Sequence, residues 1–429
     1  MITRQYCHTQ RGASLITALL VLSFLTVLEA ALVTTARIDV LIANNFTTSA
    51  QLTYLAEAGL DQARENLRQS SSTTTTILTT LRGADNVLST ATDLPTLLAT
   101  DDLPYIPSNS ALKTKGEGMM DATGRIIGYY HVFLRNDPVD SLGSATDTND
   151  TINILSVASI GSARKSIEIL AKKGSFPQVP SALTLDGPMP SFNAPNSGNF
   201  FVKGIDFGGG ATQSSIGVIV QTPDVATVTN AIPNNLKGNY EGAGPNSIPS
   251  VNNVDPTMAA QLKTVGGLEQ TVADLAAVAN ATYNPACGQQ QSVSTPVGSS
   301  TNPQIVVVNG DASFSGNSIG YGTLIVRGKL SLSGNFSWYG LILIVGQGDL
   351  DWSGGGNGEV QGGIFIARTR DNDRSCSNPP NPLGTLRSTR GVVTANFNGG
   401  GGNGITLNTA RINAGTNKLP YTPLSYREY

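Results

Sequence analysis

From Ala13 to Leu28 the chain reads ASLITALLVLSFLTVL without a charge, and after Glu29 it is uncharged again from Ala30 to Ala36. As a helix, residues 13–36 span about 36 Å, enough to cross a bilayer core of roughly 30 Å. Apolar or small positions then continue at Ile38, Ile42, Asn45/Phe46, Ser49, Leu52, Ala56, Leu60, Ala63 and Leu67. Steps of three and four predict one face of an amphipathic helix. No proline occurs before Pro95, and no glycine between Gly12 and Gly59. One helix from about Ala13 to Leu67, roughly 80 Å long, is therefore expected. Its first half needs lipid or sibling helices and its second half a globular domain. Arg4 and Arg11 precede the apolar run, which puts the N-terminus in the cytoplasm and residues 37–429 outside it. A secretory signal peptide is the competing reading, but its apolar region would be only about 7–15 residues long.

The pattern changes after Ser70–Thr76 (SSSTTTT), read as a polar linker, and a proline-punctuated stretch to residue 118, read as loop with one or two helical turns. Arg125–Leu134, Ile152–Ser159 and Lys165–Lys172 alternate or run apolar and predict three antiparallel strands that cover the apolar stripe of residues 38–67. From Phe176 onward short apolar runs recur at Ile305–Val308, Thr323–Val326, Leu341–Val345, Gly363–Ala367 and Gly391–Thr394. Their anchors step by 18, 18, 22 and 28 residues. One strand per step suggests stacked rungs of a β-solenoid, with Ser313–Ser318, Lys329–Ser333 and Asp349–Ser353 as second strands and a cap at each end. Residues 200–220 read as the first rung and Pro256–Ala281 as a helical excursion. A β-sandwich with irregular loops is the alternative.

Composition narrows the function. Only 13% of the residues are charged, about half the share of an ordinary soluble domain. The net charge of −3 removes the usual electrostatic basis for nucleic-acid binding. Two His and three Cys exclude Cys-rich zinc modules and disulfide-dense scaffolds.

Arg11-Gly12, the short basic leader, the apolar helix and its amphipathic continuation resemble the class III signal of type IV pilins. The stretch Tyr54-Leu55-Ala56-Glu57-Ala58-Gly59-Leu60 is similar to the N-terminal domain of PilX-type minor pilins, and the likeness covers residues 11–68. The resemblance implies a pilin-type α/β head and cleavage between Gly12 and Ala13 by prepilin peptidase. It also implies partnership with other minor and major pilins through the N-terminal helix. The fifth mature position, where most pilins carry Glu, is Thr17 here. That departure resembles tip or initiating minor pilins and one minor pseudopilin. Glu29 is the other filament-core position, either a helix–helix contact or a snorkelling side chain.

The chain then divides into a leader (1–12), a transmembrane or filament-core helix (13–36), its amphipathic continuation (37–68), a pilin-type head (69–175) and a Gly/Asn-rich β domain (176–429) with a helical excursion at about 256–281. The fold class is α+β. The expected location is the bacterial inner membrane with the head periplasmic, then the pilus or cell surface, where the β domain serves adhesion, to a surface or glycan ligand, or assembly.

Candidate chemistry is sparse. Asp137, Asp140, Asp147 and Asp150 share one loop and could offer hard oxygens to calcium; the bland reading is a solvated strand connection. Asp206, Asp311, Asp349, Asp351 and Glu359 are the carboxylates a β-helical carbohydrate-active enzyme would use, with Asp349 and Asp351 on one strand face. Gly-rich surroundings favour turn chemistry, so no enzyme and no cofactor are expected. His131 follows Tyr130 in a strand and reads as structural. The Gly runs 208–210 and 399–402 lack the Lys-Ser/Thr of a phosphate loop. Cys7 leaves with the leader, so Cys287 and Cys376 are expected to pair in an oxidising compartment.

Overall fold

The computed structural model describes residues 11–70, 72–82, 86–88, 104–105, 116–174, 176–354, 356–376, 381–399, 401–402, 404–416 and 419–429. The leader through residue 10 and the side chains of residues 11–14 lie outside them. The chain forms two compact units, residues 1–172 with 421–429, and residues 173–420.

The first unit is built on α1 (Arg11–Gln69), a continuous helix of 59 residues. Leu52, Leu55, Ala56, Leu60, Ala63 and Leu67 are buried on its inner face. They pack on a sheet of β1 (Glu117–Met120), β2 (Ile126–Asn136), β3 (Thr151–Ile160) and β4 (Ala163–Lys173). Adjacent strands pair antiparallel, with Phe133 opposite Leu155 and Leu155 opposite Glu168. The sheet covers the helix from Leu52 onward, not from residue 38 as the periodicity suggests; Ile38, Ile42 and Phe46 are exposed. An 11-residue strand is about 36 Å long and can accompany at most about 24 helical residues. The SSSTTTT stretch is not all linker: α2 (Thr74–Leu81) begins within it, with Thr73 accepting from the Thr76 N–H as its cap.

A fifth strand of this sheet comes from the far end of the chain. Tyr421–Glu428 lies beside β4, and Ser166 and Tyr429 exchange reciprocal backbone hydrogen bonds. The expected β domain of residues 176–429 is thus too long by its last strand. Gly174 N–H donates to the Pro420 carbonyl, so the second unit starts and finishes at one point. Topologically it replaces the loop between β4 and the final strand.

Gly59 explains why the helix approaches the sheet so closely. A Cβ there would sit 2.4 Å from Ser156 Oγ and 2.8 Å from Tyr130 Cδ2. Gly59→Val is expected to destabilise the first unit by about 1–3 kcal/mol through overpacking. Thermal unfolding followed by far-ultraviolet dichroism checks this, and an unchanged transition would contradict it.

The second unit carries two parallel ladders. Its chain begins with β5 (Ser181–Asp186) and β6 (Ser191–Asn193), then β7 (Phe201–Lys203) and β8 (Ser214–Val218). Helix α3 (Asp224–Ala231), β9 (Tyr240–Glu241), β10 (Val251–Asn253) and α4 (Val265–Ala277) follow. The helical excursion is therefore a 13-residue helix preceded by 3-10 turns at 255–257 and 260–262. The first ladder then takes β11 (Ala281–Tyr283), the second β12 (Gln290–Ser292), and the chain alternates between them. In order come β13 (Gln304–Val308), β14 (Asp311–Phe314), β15 (Asn317–Val326), β16 (Lys329–Leu332), β17 (Asn335–Gly346), β18 (Asp349–Trp352) and β19 (Glu359–Arg370). Ile305 pairs with Thr323, Thr323 with Leu341, and Leu341 with Gly363, all parallel. The 18-, 18- and 22-residue steps of the sequence are these registers.

The fourth step does not continue them. Gly391 ends β20 (Leu386–Gly391), which pairs antiparallel with β19, and β21 (Thr394–Phe397) joins the second ladder. The place beside β19 is taken by strands from earlier and later in the chain. Its second half pairs with β5, and its first half with β22 (Gly404–Leu407). Segment 200–220 is accordingly not the rung before β13. Its strand β8 stacks on β5 at the opposite side of the ladder, and β7 stacks on β22. Helix α5 (Thr409–Thr416) follows.

Inside, an aromatic column runs through Phe314, Phe336, Trp352, Phe397 and Phe200 with ring centroids 5.0–6.0 Å apart. Such pairs contribute about 0.5–1.5 kcal/mol each beyond burial. At one corner Gly322 and Gly340 are register partners with φ of +118° and +142°. A Cβ on either would lie 2.0–2.1 Å from the carbonyl oxygen of the strand before, so only glycine fits.

Candidate functional site

The dominant surface feature is the free part of α1. Residues 15–47 are all exposed, among them Leu19, Leu22, Phe24, Leu25 and Val33. By length and composition this helix can cross a membrane. Its hydroxyls are folded back on its own backbone: Ser23 donates to the Leu20 carbonyl, Thr26 to Ser23, Thr34 to Ala30 and Thr35 to Ala31, at 2.7–3.0 Å. That hides the polar atoms from an apolar surrounding. Thr17 and Glu29 sit on this exposed stretch. Gly12 and Ala13 lie in the first helical turn, the Ala13 side chain outside the described residues. Where the helix leaves the sheet, a groove of about 490 Å³ opens between Asn45, Thr48 and Ser49 on one side and Arg164, Lys165 and Glu428 on the other.

The aspartates of the 136–151 loop do not converge. Asp137 accepts from the Asp140 N–H and from Asn149 Nδ2, Asp140 from the Thr148 N–H and hydroxyl, and Asp147 from the Asn149 N–H. The Thr148 hydrogen bonds hold Asp140 below the usual carboxylate range, while burial pushes Asp147 up. Asp150 takes a left-handed conformation at φ +56°. Among the described residues no group of three His, Cys, Asp or Glu is placed to hold a metal ion.

The β-domain carboxylates have separate roles. Asp206 caps α5 from a distance, accepting from the Thr409 N–H at 3.0 Å, the Thr409 hydroxyl and the Gly208 N–H. Burial opposes its charge, but these bonds keep its pKa below the usual range. The Gly208–Gly210 run serves that cap, since a Cβ on Gly210 would lie 2.2 Å from Asp206 Oδ2. Asp311 pairs with Arg374 at 2.7 Å. Asp349 and Asp351 do share the outer face of β18, and Asp351 pairs with Lys329 at 3.0 Å. Glu359 stands at the start of β19. His131 is buried in β2 with its ring beside Phe133. Cys287 and Cys376 form a disulfide with Cα atoms 5.3 Å apart, closing a loop of 89 residues. In the chain-entropy model such a closure contributes roughly 4–5 kcal/mol.

Two partly buried charge clusters have no signature in the sequence. Glu269 of α4 accepts from Arg370 Nη2 at 2.9 Å, from the Thr369 hydroxyl at 2.6 Å and from Arg327. Asp186, wholly buried at the end of β5, pairs with Arg390, which also reaches Asp255 at 3.1 Å. Burial pushes the Asp186 carboxyl up to about 7 against the pull of Arg390. Partners in each cluster lie 58 or more residues apart.

No family model matches the chain, and no curated relative is similar to it. Among solved structures it is similar to the competence-associated pilin ComZ from Thermus thermophilus, at 11% identity and a TM-score of 0.23, over 89% of this chain and 98% of that one.

Proposed function

We propose that this protein is a minor pilin of a type IV pilus, of the PilX N-terminal type. It inserts in the inner membrane, is cleaved after Gly12 by prepilin peptidase, and joins the tip or initiation complex. One observation carries the reading: residues 15–36 form an apolar stretch of helix about 33 Å long whose side chains are exposed. A surface of that size in water would drive association, so it belongs in lipid or among sibling helices. The second unit, whose in-register parallel ladders we read as a β-solenoid, is bulky for every position of a slim filament. It acts in adhesion or assembly and performs no catalysis. The scattered, ion-paired or capping carboxylates support that part.

Replacing Gly12 by Leu is expected to leave the leader attached, seen as an unshifted mass of the membrane-bound chain, and to deplete the chain from sheared pili. Normal processing and incorporation would sink the proposal. Thr17 in place of the common Glu also suits a minor pseudopilin of a type II secretion system. Deletion distinguishes the two, because loss of exoprotein secretion with pili intact favours the pseudopilin.

A further inference from the structure

The face of the first unit's sheet turned away from α1 carries a charged pair in a strand environment. Arg135 of β2 is 3% exposed and Glu168 of β4 is 6% exposed. Arg135 donates through Nε at 3.0 Å and through Nη2 to one oxygen of Glu168, and the Tyr429 hydroxyl donates to the other at 3.0 Å. Glu168 is therefore satisfied. Arg135 Nη1 is not: it is buried and has no partner. Two N–H groups of a guanidinium left without an acceptor are costly and call for one.

Arg135 lines a cavity of about 100 Å³. Its other walls are Pro138, Leu142 and Leu170, the polar Asn153 and Glu168, and at the rim Ser425 and Arg427 of the final strand. Arg427 is exposed and makes no ion pair among the described residues. The charges around the cavity are two guanidinium groups and one carboxylate, a surplus of one positive. The volume is that of about three waters, or of one small anion. Water would fill the space but would leave the surplus charge, whereas an anion between the Arg135 and Arg427 guanidinium groups offsets it. Guanidinium donors in a partly enclosed space are the usual partners of planar or tetrahedral oxyanions.

We propose that this cavity is a subsite for a small oxyanion, the class that includes inorganic phosphate, sulfate and a carboxylate group. Arg135 is the buried anchor, while Arg427 and Ser425 close over the bound group from the rim.

The test uses the full mature chain in detergent at pH 7, titrated calorimetrically with sodium phosphate, sodium sulfate and sodium acetate at fixed ionic strength. One saturable site per chain is expected. Arg427→Ala should weaken it at least tenfold and Ser425→Ala about threefold, while Arg125→Ala, which removes an exposed cation elsewhere on the unit, should leave it unchanged. Preference for phosphate or sulfate identifies a free tetrahedral anion, and preference for acetate identifies a carboxylate. Arg135 itself is a poor probe, since its loss strands Glu168, so the rim variants decide. Absence of saturable binding by all three anions, or binding that Arg427→Ala leaves intact or Arg125→Ala weakens equally, overturns the proposal in favour of ordered water.

Discussion

Glu269→Ala is expected to lower the stability of the second unit by about 3–5 kcal/mol, the usual cost of removing one partner from a buried charge pair. The carboxylate is 13% exposed, and Arg327 and Arg370 are each 18% exposed. Removing it leaves two guanidinium groups close together with no counter-charge, and the Thr369 hydroxyl without its acceptor. The same side chain fastens α4 to the ladder, beside the buried Val265, Leu268, Val272 and Leu275. Tryptophan fluorescence reads this unit selectively, because the chain's two tryptophans, Trp338 and Trp352, both lie in its core. Glu269→Gln keeps the shape and loses the charge, so it should fall between. The pH dependence has a definite sign. Burial opposes ionisation, yet Arg370, Thr369 and Arg327 hold the Glu269 pKa below the ordinary value. Its contribution is then complete above the ordinary glutamate range and is lost as pH falls through the lowered value. The stability gap between wild type and Glu269→Gln should close on acidification. A gap under 1 kcal/mol at neutral pH would show that the cluster does not fasten the helix.

What the sequence exposed and what it hid follow from the range of the interactions. The helix was legible because its signals are local: an uncharged run, three- and four-residue steps, and glycines confined to residues 12 and 59. The step between Ile305, Thr323, Leu341 and Gly363 was legible because parallel stacking sets like residues in register, so a spatial period becomes a sequence period. The step failed at Gly391 because β19 receives its next neighbours from β5 and β22, which come from before and after it in the chain. Nothing local marks such a switch. The same holds for the final strand, YTPLSYRE, which follows the β domain in sequence yet completes a sheet begun about 300 residues earlier. Arg135 lies at the end of an apolar run and Glu168 within KSIEILAK, and each reads alone as an outward charge. Only the register of β2, β3 and β4 turns both to one side. Asp349 and Asp351 show the reverse case. Their shared face was legible from period two, but the Lys329 partner that neutralises Asp351 comes from the neighbouring strand.

Arginine at both Leu19 and Leu25 is expected to remove the chain from the membrane while leaving its globular parts folded. Each arginine near the middle of a spanning helix costs about 2.5–3.5 kcal/mol of insertion free energy, so the pair costs about 5–7 kcal/mol. Leu19 and Leu25 are 60% and 52% exposed and touch no core, so folding does not depend on them. The disulfide supplies a topological readout. Cys287 and Cys376 pair only if their unit reaches an oxidising compartment, and cytoplasmic thiols stay reduced. In the wild-type chain both cysteines should resist a maleimide added after acid quenching, whereas in the double variant both should react and the chain should fractionate away from the membrane. Retention in the membrane with the disulfide intact would mean that residues 15–36 do not anchor the chain. Reaction of both cysteines in the wild-type protein would place the second unit on the cytoplasmic side and reverse the orientation inferred from Arg4 and Arg11.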